Sequence, residues 1–343
     1  MKKNHLKSTF VFIVLGIITS CSKNEDGITP GSTEFEKVYV AGSNGASSLI
    51  WNNGNTTILD IGINGGADAK SIFIKDSDVY VAGSFANNSG GVYSTVAVYW
   101  KNGVKTFLTY NYYGSAESIF VEGNDVYVAG YENNQAKIWK NGVATILTDA
   151  GGHGAAKSVF VQGSDVYVAG FQYENQNSLV GIAKLWKNGI ATNLTDGNFD
   201  AQAISVFVNG ADVYVVGYEK YEDFTIAKLW KNGISISLSN NSYAVASAVF
   251  VSGSDVYVVG SERYESEWYG FTAKIWKNGE ATSLTDGTTN AIATSVYVKG
   301  SDVYVTGYEG FLSENPIAKL WKNSIDTHMP CSNNSLANSV FVK

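Results

Sequence analysis

The chain has 343 residues, of which 45% are apolar and 13% are aromatic, which is enough for a hydrophobic core and excludes a disordered chain. Its formal net charge is −7 and its basic residues form no patch, which excludes nucleic acid as a partner. The 36 glycines, against 3 prolines, favour a fold with many tight turns.

The first twenty residues have the layout of an export signal. Lys2, Lys3 and Lys7 precede the apolar run 10–18, which is too short to span a bilayer. The sequence Ile-Thr-Ser-Cys at 18–21 resembles the bacterial lipobox, which implies cleavage before Cys21 and attachment of lipid to it. An ordinary secretory signal with a chance cysteine is the alternative. Ser22 and the acidic pair Glu25-Asp26 resemble signals that send lipoproteins to the outer membrane, which predicts a lipid-anchored protein there and leaves open which side of that membrane it faces.

Three segments follow from this interpretation. Residues 1–20 are the signal peptide, 21–36 are the lipidated cysteine and a polar, flexible tether, and 37–343 are the folded domain. We expect membrane contact through the lipid anchor alone. Cys331 is then the one cysteine of the folded domain, which predicts a fold without an internal disulfide.

From residue 37 onward, one unit repeats seven times. Successive units are 40–47 residues apart, as the separations Asp125 to Asp165 and Asp78 to Asp125 show. A tryptophan recurs once per unit, usually within the sequence WKNG, and these residues are Trp51, Trp100, Trp139, Trp186, Trp230, Trp276 and Trp321. A period of this length, made of several short strands, is typical of propeller blades.

Each unit reads as four strands, in the order A (A-x-S-V-F-V), B (D-V-Y-V-A-G), C (A-K-L-W) and D (A-T-x-L-T). Gly123-Asn124 between strands A and B suits a two-residue type II′ turn, which sets Val121 opposite Val126. The Asn-Gly pairs between strands C and D are a strong hairpin signal. A small residue, alanine, recurs two positions before the serine of strand A, which predicts crowding around a central axis.

The two chain ends predict how the fold closes. The first unit begins with strand B at 37–42 and lacks a strand A, whereas the sequence ends on an extra strand A at 338–343. Pairing of these two strands predicts an all-β, single seven-bladed β-propeller of four-stranded antiparallel blades. Six or eight blades would leave one strand without a partner.

The repeated DVYVAG…AKLWKNG unit resembles β-propeller repeat proteins, and within them the lipid-anchored bacterial propellers. The resemblance covers residues 37–343. It implies a propeller fold and implies no activity, because propellers carry unrelated functions. The double glycine of kelch repeats and the Ser-x-Asp-x-Gly-x-Thr-Trp box of sialidases are both missing, so no catalytic residues carry over.

The connections between strands differ in regularity. The A–B and C–D turns are short and repeated, whereas the B–C and D–A connections are long and different in every unit, which places binding at their end of the domain. Their aromatic residues suit a glycan or a protein partner. The predicted ligand-binding residues are Tyr173, Tyr221, Phe224, Tyr264, Trp268, Tyr269, Phe271 and Phe311. The alternative is that these rings fold down over the blade ends.

Recurrent glutamates in these loops favour structural ion pairs over a catalytic or metal site, because glutamate and lysine occur in the same units. The predicted pairs are Glu132–Lys137, Glu219–Lys228, Glu262–Lys274 and Glu309–Lys319. We predict no metal site, no cofactor and no catalytic residue, and we expect His153 to be a solvated loop residue.

The functional expectation is a non-catalytic binding module of the cell envelope. One alternative is a carbohydrate-active enzyme that uses loop carboxylates such as Glu222, Asp223, Glu265 or Glu267. A second alternative is an architectural subunit of an envelope complex. The ligand and the oligomeric state do not follow from the sequence.

Overall fold

The computed structural model describes residues 36–45, 47–61, 66–89, 92–110, 113–175, 177–240, 242–263, 270–311, 315–327, 329 and 334–343. The signal 1–20, Cys21 and Cys331 lie outside these residues, as does the tether up to residue 35. The described part of the chain folds into strands alone, within the compact unit Glu36–Lys343. None of it forms a helix long and apolar enough to cross a membrane.

The strands follow the predicted repeat, and consecutive strands in each unit are antiparallel. The first sheet contains β28 (Leu336–Val342), β1 (Val38–Ser43), β2 (Ser47–Asn52) and β3 (Asn55–Ile61). The second contains β4 (Ala67–Lys75), β5 (Asp78–Ser89), β6 (Val92–Lys101) and β7 (Val104–Phe107). The third contains β8 (Gly114–Glu122), β9 (Asp125–Glu132), β10 (Gln135–Lys140) and β11 (Val143–Ile146).

The remaining units continue in the same order. The fourth contains β12 (His153–Gln162), β13 (Asp165–Tyr173), β14 (Gly181–Lys187) and β15 (Ile190–Asn193). The fifth contains β16 (Asp200–Asn209), β17 (Asp212–Lys220), β18 (Thr225–Lys231) and β19 (Ile234–Ser237). The sixth contains β20 (Tyr243–Ser252), β21 (Asp255–Arg263), β22 (Thr272–Lys277) and β23 (Glu280–Ser283). The seventh contains β24 (Ala291–Lys299), β25 (Asp302–Glu309), β26 (Ile317–Lys322) and β27 (Ile325–Thr327).

The described strands form six sheets, where the sequence predicts seven separate blades. Five sheets have four strands and one has eight. The eight-stranded sheet arises because a single parallel contact, between Thr225 and Tyr243, joins the fifth unit to the sixth. The all-β class and the repeated four-stranded antiparallel arrangement are therefore as predicted.

The predicted turns and register are confirmed. Val121 lies opposite Val126, and Gly123 has φ +58°, as the first central residue of a type II′ turn requires. In the C–D turn of the same unit, Asn141 and Gly142 have φ values of +52° and +83°, which fit a type I′ turn. The last strand also pairs with the first, with Val38 opposite Val342 and Val40 opposite Val340.

The recurring residues of the repeat build one structural cluster at these turns in six of the seven units, because the first unit has Lys37 and Asn52 in place of the aspartate and the lysine. In the third unit, Asn141 Nδ2 donates to Asp125 Oδ1 at 2.7 Å, and the Val126 N–H donates to Asn141 Oδ1 at 2.8 Å. Lys140 Nζ lies 2.7 Å from Asp125 Oδ2 and 5.3 Å from the centre of the Tyr127 ring. The hydrogen bonds from Lys140 and Asn141 lower the pKa of Asp125. The Asp-Val-Tyr and Lys-Asn-Gly sequences thus recur for a structural reason.

A β-bulge in strand A explains the alanine and glycine columns. Ala116 pairs with Gly130 and Ser118 pairs with Ala129, which leaves Glu117 without a partner in the ladder. A Cβ on Gly130 would lie 2.0 Å from Ser115 O, so only glycine fits opposite the bulge. Ala116 is fully buried in a cluster with Tyr80 of the preceding unit. The prediction that the alanines crowd a central axis was wrong, because they pack between neighbouring units.

Seven hydrophobic clusters link neighbouring units. The buried Trp139, for example, packs with Tyr80 and Ala97 of the preceding unit. In the same way Trp51 of β2 packs with Tyr304 and Ala318 of the seventh unit. The tryptophan column is therefore inter-unit packing, as the sequence predicts.

Strand A of each unit also contacts strand A of the next. The aromatic residues of these strands pack ring against ring, with centroids 4.8–5.3 Å apart. Their contact order is Phe73, Phe120, Phe160, Phe207, Phe250, Tyr297 and Phe341, and Phe341 contacts Phe73. The strand A serines also link neighbouring units by hydrogen bonds. Ser71 Oγ accepts from the Ile119 N–H at 3.2 Å, and Ser339 Oγ accepts from the Ile72 N–H at 3.2 Å.

Candidate functional site

The two ends of the domain differ. We call the end with the A–B and C–D turns the turn end, and the end with the B–C and D–A connections the loop end. Neighbouring turn ends lie side by side, because Gln162 Nε2 donates to Gly210 O at 2.9 Å and Asn209 Nδ2 donates to Gly253 O at 3.0 Å. The irregular connections of these units therefore lie together at the opposite, loop end.

A cavity of about 440 Å³ lies between the loop-end halves of the seven A strands, and we call it the strand A cavity. Its wall contains the serine of each strand A, or Ala248 in the sixth unit, and the residue before it, which is the residue that the bulge leaves unpaired. That bulge residue differs in every unit: Lys70, Glu117, Lys157, Ile204, Ser247, Thr294 and Asn338. One side of the cavity is therefore charged and the other is apolar or neutral.

Three of the bulge residues form a charged cluster. Lys70 Nζ lies 2.6 Å from Glu117 Oε1, and Lys157 Nζ lies 3.2 Å from Glu117 Oε2. Only 11% of the Glu117 side chain is exposed. Burial on its own would raise the pKa of the Glu117 carboxyl, but Lys70 and Lys157 outweigh burial and lower it to about 2. Glu117 therefore stays ionised and holds two ammonium groups at the cavity wall.

Asp68 and Asn338 form a second polar pair beside this cluster. Asn338 Nδ2 donates to Asp68 Oδ1 at 2.8 Å and to Ala69 O at 2.9 Å. Burial raises the pKa of Asp68, and the nearby Lys70 and the hydrogen bonds from Ser43 and Asn338 offset burial only in part. Asn338 comes from the last strand of the chain, so the C-terminal strand contributes to this wall.

A cleft of about 480 Å³ opens beside the cavity at the loop end, between the third and fourth units. Its aromatic wall consists of Tyr131, Phe171 and Tyr173. The rings of Phe171 and Tyr173 meet edge to face, with centroids 5.5 Å apart. Polar groups on the other walls include His153, Asn134, Asn175 and Ser178.

Lys157 joins the two spaces, because it lines both the cleft and the strand A cavity. Among the described residues that line the cleft, the ionisable groups besides the tyrosine hydroxyls are Lys157 and His153. His153 is not the solvated loop residue that the sequence predicts. It begins β12, pairs with Tyr173 and is half-buried at the cleft wall.

The structure separates the sequence-predicted aromatic residues. Tyr173 lines the cleft. Tyr221 and Phe224 are half-buried and pack on each other, with ring centroids 5.4 Å apart, and the Tyr221 hydroxyl donates to Glu219 Oε2 at 2.8 Å. These two rings therefore fold over the loop end of the fifth unit.

Two other predicted aromatics, Phe271 and Phe311, lie elsewhere at the loop end. Phe271 packs against the Arg263 guanidinium at 5.3 Å, and Phe311 is 45% exposed. Tyr264, Trp268 and Tyr269 lie outside the described residues, as do Glu265 and Glu267. The described residues therefore bring one predicted aromatic, Tyr173, into the cleft.

The predicted glutamate–lysine pairs are all in contact. The Nζ–Oε2 distances are 3.2 Å for Lys228 and Glu219, 3.4 Å for Lys274 and Glu262, and 3.0 Å for Lys319 and Glu309, and Lys137 also pairs with Glu132. The pairs lie deeper than surface pairs, since the Glu262 side chain is 5% exposed. Loop residues cover them, as where Ser242 Oγ donates to Glu262 Oε1 at 2.9 Å.

The two described loop carboxylates that were considered for catalysis lie apart from the cleft. Glu222 and Asp223 are both exposed, and neither is among the cleft residues. Within the described part of the chain, no group of three or more histidine, cysteine, aspartate or glutamate residues is arranged to hold a metal ion.

Sequence reasoning missed the strand A cavity. The sequence analysis placed binding in the variable loops and gave strand A a structural role alone. The sequence feature that could have indicated it is the residue between the alanine and the serine of strand A, which varies while its neighbours recur. From the second unit onward it is lysine, glutamate, lysine, isoleucine, serine and threonine, and it is asparagine in the last strand. Pattern alone did not show that a bulge turns this residue into the cavity.

No protein-family model matches the chain, and no curated protein matches it in sequence. Among solved structures, it is similar to the computationally designed Ika8 protein, with 15% identity and a TM-score of 0.45, over 89% of this chain and 92% of that one. It is also similar to an acylaminoacyl peptidase of Pyrococcus horikoshii, with 14% identity and a TM-score of 0.48. That match covers 78% of this chain and 46% of the peptidase. Neither likeness supports a functional conclusion at these TM-scores.

Proposed function

We propose that residues 37–343 form a closed seven-bladed β-propeller, with the first blade built from both chain ends. The support is the pairing of β28 with β1 and the contact cycle of seven aromatic residues in which Phe341 meets Phe73. The bridge between Thr225 and Tyr243 is then a contact between two neighbouring blades. In this arrangement the strand A cavity is the loop-end mouth of the central channel.

The protein is, in this proposal, a lipoprotein anchored to the outer membrane through Cys21. The sequence Ile-Thr-Ser-Cys at 18–21 after an apolar run supports lipid attachment, and Ser22 with the acidic pair Glu25-Asp26 supports the outer membrane. The domain itself acts as a non-catalytic binding module of the cell envelope, and its ligand is a glycan. The anchor keeps this module at the membrane, while the loop end remains available to the ligand.

The cleft is the observation that carries glycan binding. Its aromatic wall of Tyr131, Phe171 and Tyr173 offers flat apolar faces for the C–H faces of sugar rings. The side chains of Asn134, Asn175 and Ser178 supply donors and acceptors for hydroxyl groups. Since Lys157 is the cationic side chain among the described residues of this wall, sugars with a carboxylate fit better than neutral ones.

The lack of carboxyl groups among the described cleft residues favours binding over catalysis. Most glycoside hydrolases place two carboxyl groups on either side of the scissile bond. The described cleft residues include no aspartate or glutamate, and the nearest charged cluster holds its one carboxylate, Glu117, between two lysines. Glu117 is thus engaged in ion pairs and remains ionised.

Tyr173→Ala is expected to weaken glycan binding about tenfold, because it removes the ring that stacks on the sugar, which corresponds to about 1.4 kcal/mol. The measurement is titration calorimetry of the full chain with an oligogalacturonate and with a neutral oligosaccharide of the same length. The wild type is expected to bind the acidic probe more tightly.

Leu179→Ala is the matched control for this measurement. Leu179 is 89% exposed in the same B–C connection and is not among the cleft residues, so its removal should leave the affinity unchanged. Equal affinity of Tyr173→Ala and the wild type for a bound probe would contradict the site. Failure of the wild type to bind any saccharide on a broad glycan array would contradict the proposed ligand class.

A further inference from the structure

The turn end carries exposed aliphatic residues at one repeated position. In five units, the first residue of strand D is a valine or isoleucine that follows the tight turn and is 69–75% exposed. These residues are Val104, Val143, Ile190, Ile234 and Ile325. Glu280 and Asn55 occupy the position in the other two units. Exposed aliphatics at equivalent sites give one end of the domain an apolar rim.

Each of these aliphatic residues has a lysine as its cross-strand neighbour. Val143, for example, lies opposite Lys140, and Ile190 lies opposite Lys187. The lysines are themselves paired with aspartates, as Lys140 is with Asp125 at 2.7 Å. The rim therefore combines apolar side chains with nearly neutral charge pairs. This composition suits the boundary between lipid head groups and acyl chains and does not depend on anionic lipid.

The described chain also begins at this end. Asn53 Nδ2, in the C–D turn of the first unit, donates to Glu36 O at 3.1 Å, and Lys322 Nζ lies 3.6 Å from Glu36 Oε2. Glu36, the first described residue, therefore lies at the turn end. Fifteen residues, 21–35, precede Glu36 from Cys21 onward in the sequence, and a random coil of that length spans roughly 20 Å.

We infer that the turn end rests on the phospholipid surface, with its aliphatic rim in contact with lipid. This inference rests on the proposed lipid anchor at Cys21, and it adds a second membrane contact to the anchor. Lipid is the favoured occupant because the anchored segment enters at the same end and limits the distance to the membrane. The loop end, with the cleft, then faces away from the bilayer.

The test uses the full-length lipidated protein in vesicles of phosphatidylethanolamine and phosphatidylglycerol, with Cys331→Ser as the background. An environment-sensitive fluorophore is placed at Val143→Cys on the rim or at Leu179→Cys at the loop end, where Leu179 is 89% exposed. Nitroxide-labelled lipid is the quencher. We expect at least twofold stronger quenching at position 143 than at 179, with little change between low and high salt.

A second variant distinguishes lipid contact of the rim from proximity that the tether alone would cause. Replacement of Val104, Ile190, Ile234 and Ile325 by serine should reduce quenching at position 143 at least twofold, while the exposed positions leave folding intact. Equal quenching at 143 and 179 would overturn the inference. Quenching at 143 that the serine variant does not reduce would also overturn it, because the tether alone would then explain proximity.

Failure here is distinguishable from failure of the proposed function. A chain that carries no lipid at Cys21 is absent from the membrane fraction before any label is read, and this outcome overturns the anchor and the inference together. A lipidated chain that binds an oligosaccharide but shows equal quenching at both labels overturns the membrane-facing turn end alone.

Discussion

Gly130→Ala is expected to destabilise the domain by about 3 kcal/mol, measured as the loss of unfolding free energy in denaturant. The Cβ would lie 2.0 Å from Ser115 O, and this atom belongs to the backbone of the bulged strand A. The backbone cannot move away without breaking the pairing of Ala116 with Gly130 and the bulge that directs Glu117 to the cavity. We therefore expect the variant to disturb the cavity as well as the stability.

Gly142→Ala is the matched control in the same unit. Gly142 has φ +83° but nothing within 4 Å of its Cβ position, so the substitution costs only the backbone conformation, about 1 kcal/mol. If Gly130→Ala were no more destabilising than Gly142→Ala, the close approach at the bulge would not be the reason for the glycine column.

Glu117→Gln is expected to lower the unfolding free energy by about 3 kcal/mol at pH 7, because it leaves Lys70 and Lys157 close together without their shared carboxylate. The pKa of Glu117 falls from 4.5 to about 2 on folding, which corresponds to a similar energy. The carboxylate thus stabilises the fold fully above about pH 4.5. This stabilisation is lost as the pH falls through about 2.

The measurement is denaturant unfolding of the wild type and Glu117→Gln between pH 7 and pH 2. The stability difference should be constant down to about pH 4.5 and vanish toward pH 2. Glu122→Gln, at the exposed end of the same strand β8, is the control and should change stability by less than about 0.5 kcal/mol. A deficit in Glu117→Gln that is independent of pH, or equal to that of Glu122→Gln, would contradict the shared ion pair.

Much of the fold could be predicted from the sequence because local chemistry repeats. The two-residue turns fixed the register, so that Val121 opposite Val126 follows from Gly123 having positive φ. The pairing of the two chain ends also followed from counting strands, and β28 does pair with β1. The loop aromatics were harder, because long connections have no repeated pattern that says whether a ring such as Tyr221 is exposed or folded over its unit.

The strand A cavity could not be predicted, because the bulge changes which side chains of strand A face it. Strict alternation along strand A would place Lys70 and Ser71 on opposite faces, whereas both line the cavity. The alanine two positions before the serine then turns to the neighbouring unit instead of the centre. His153 was expected in a solvated loop because GGHGAA has no strand pattern, yet strand β12 begins at that histidine.

Closure of the proposed propeller by the two chain ends is the claim on which the location of the loop end depends. Val38 and Val342 lie opposite each other, next to the Lys37–Lys343 pair whose N–H groups and carbonyls bond at 3.0 and 2.9 Å. Such a non-hydrogen-bonded pair has the Cα separation that a disulfide needs. The direct test is the double variant Val38→Cys, Val342→Cys in a Cys331→Ser background.

We expect this double variant to form an intramolecular disulfide on oxidation and to gain about 4 kcal/mol of stability over its reduced form. Val38→Cys with Val298→Cys, at the equivalent position of the neighbouring strand A, should not cross-link, because Val298 pairs with Val303. Cross-linked dimers, a lack of cross-linking at 38 and 342, or equal cross-linking in the control pair would contradict the closed propeller.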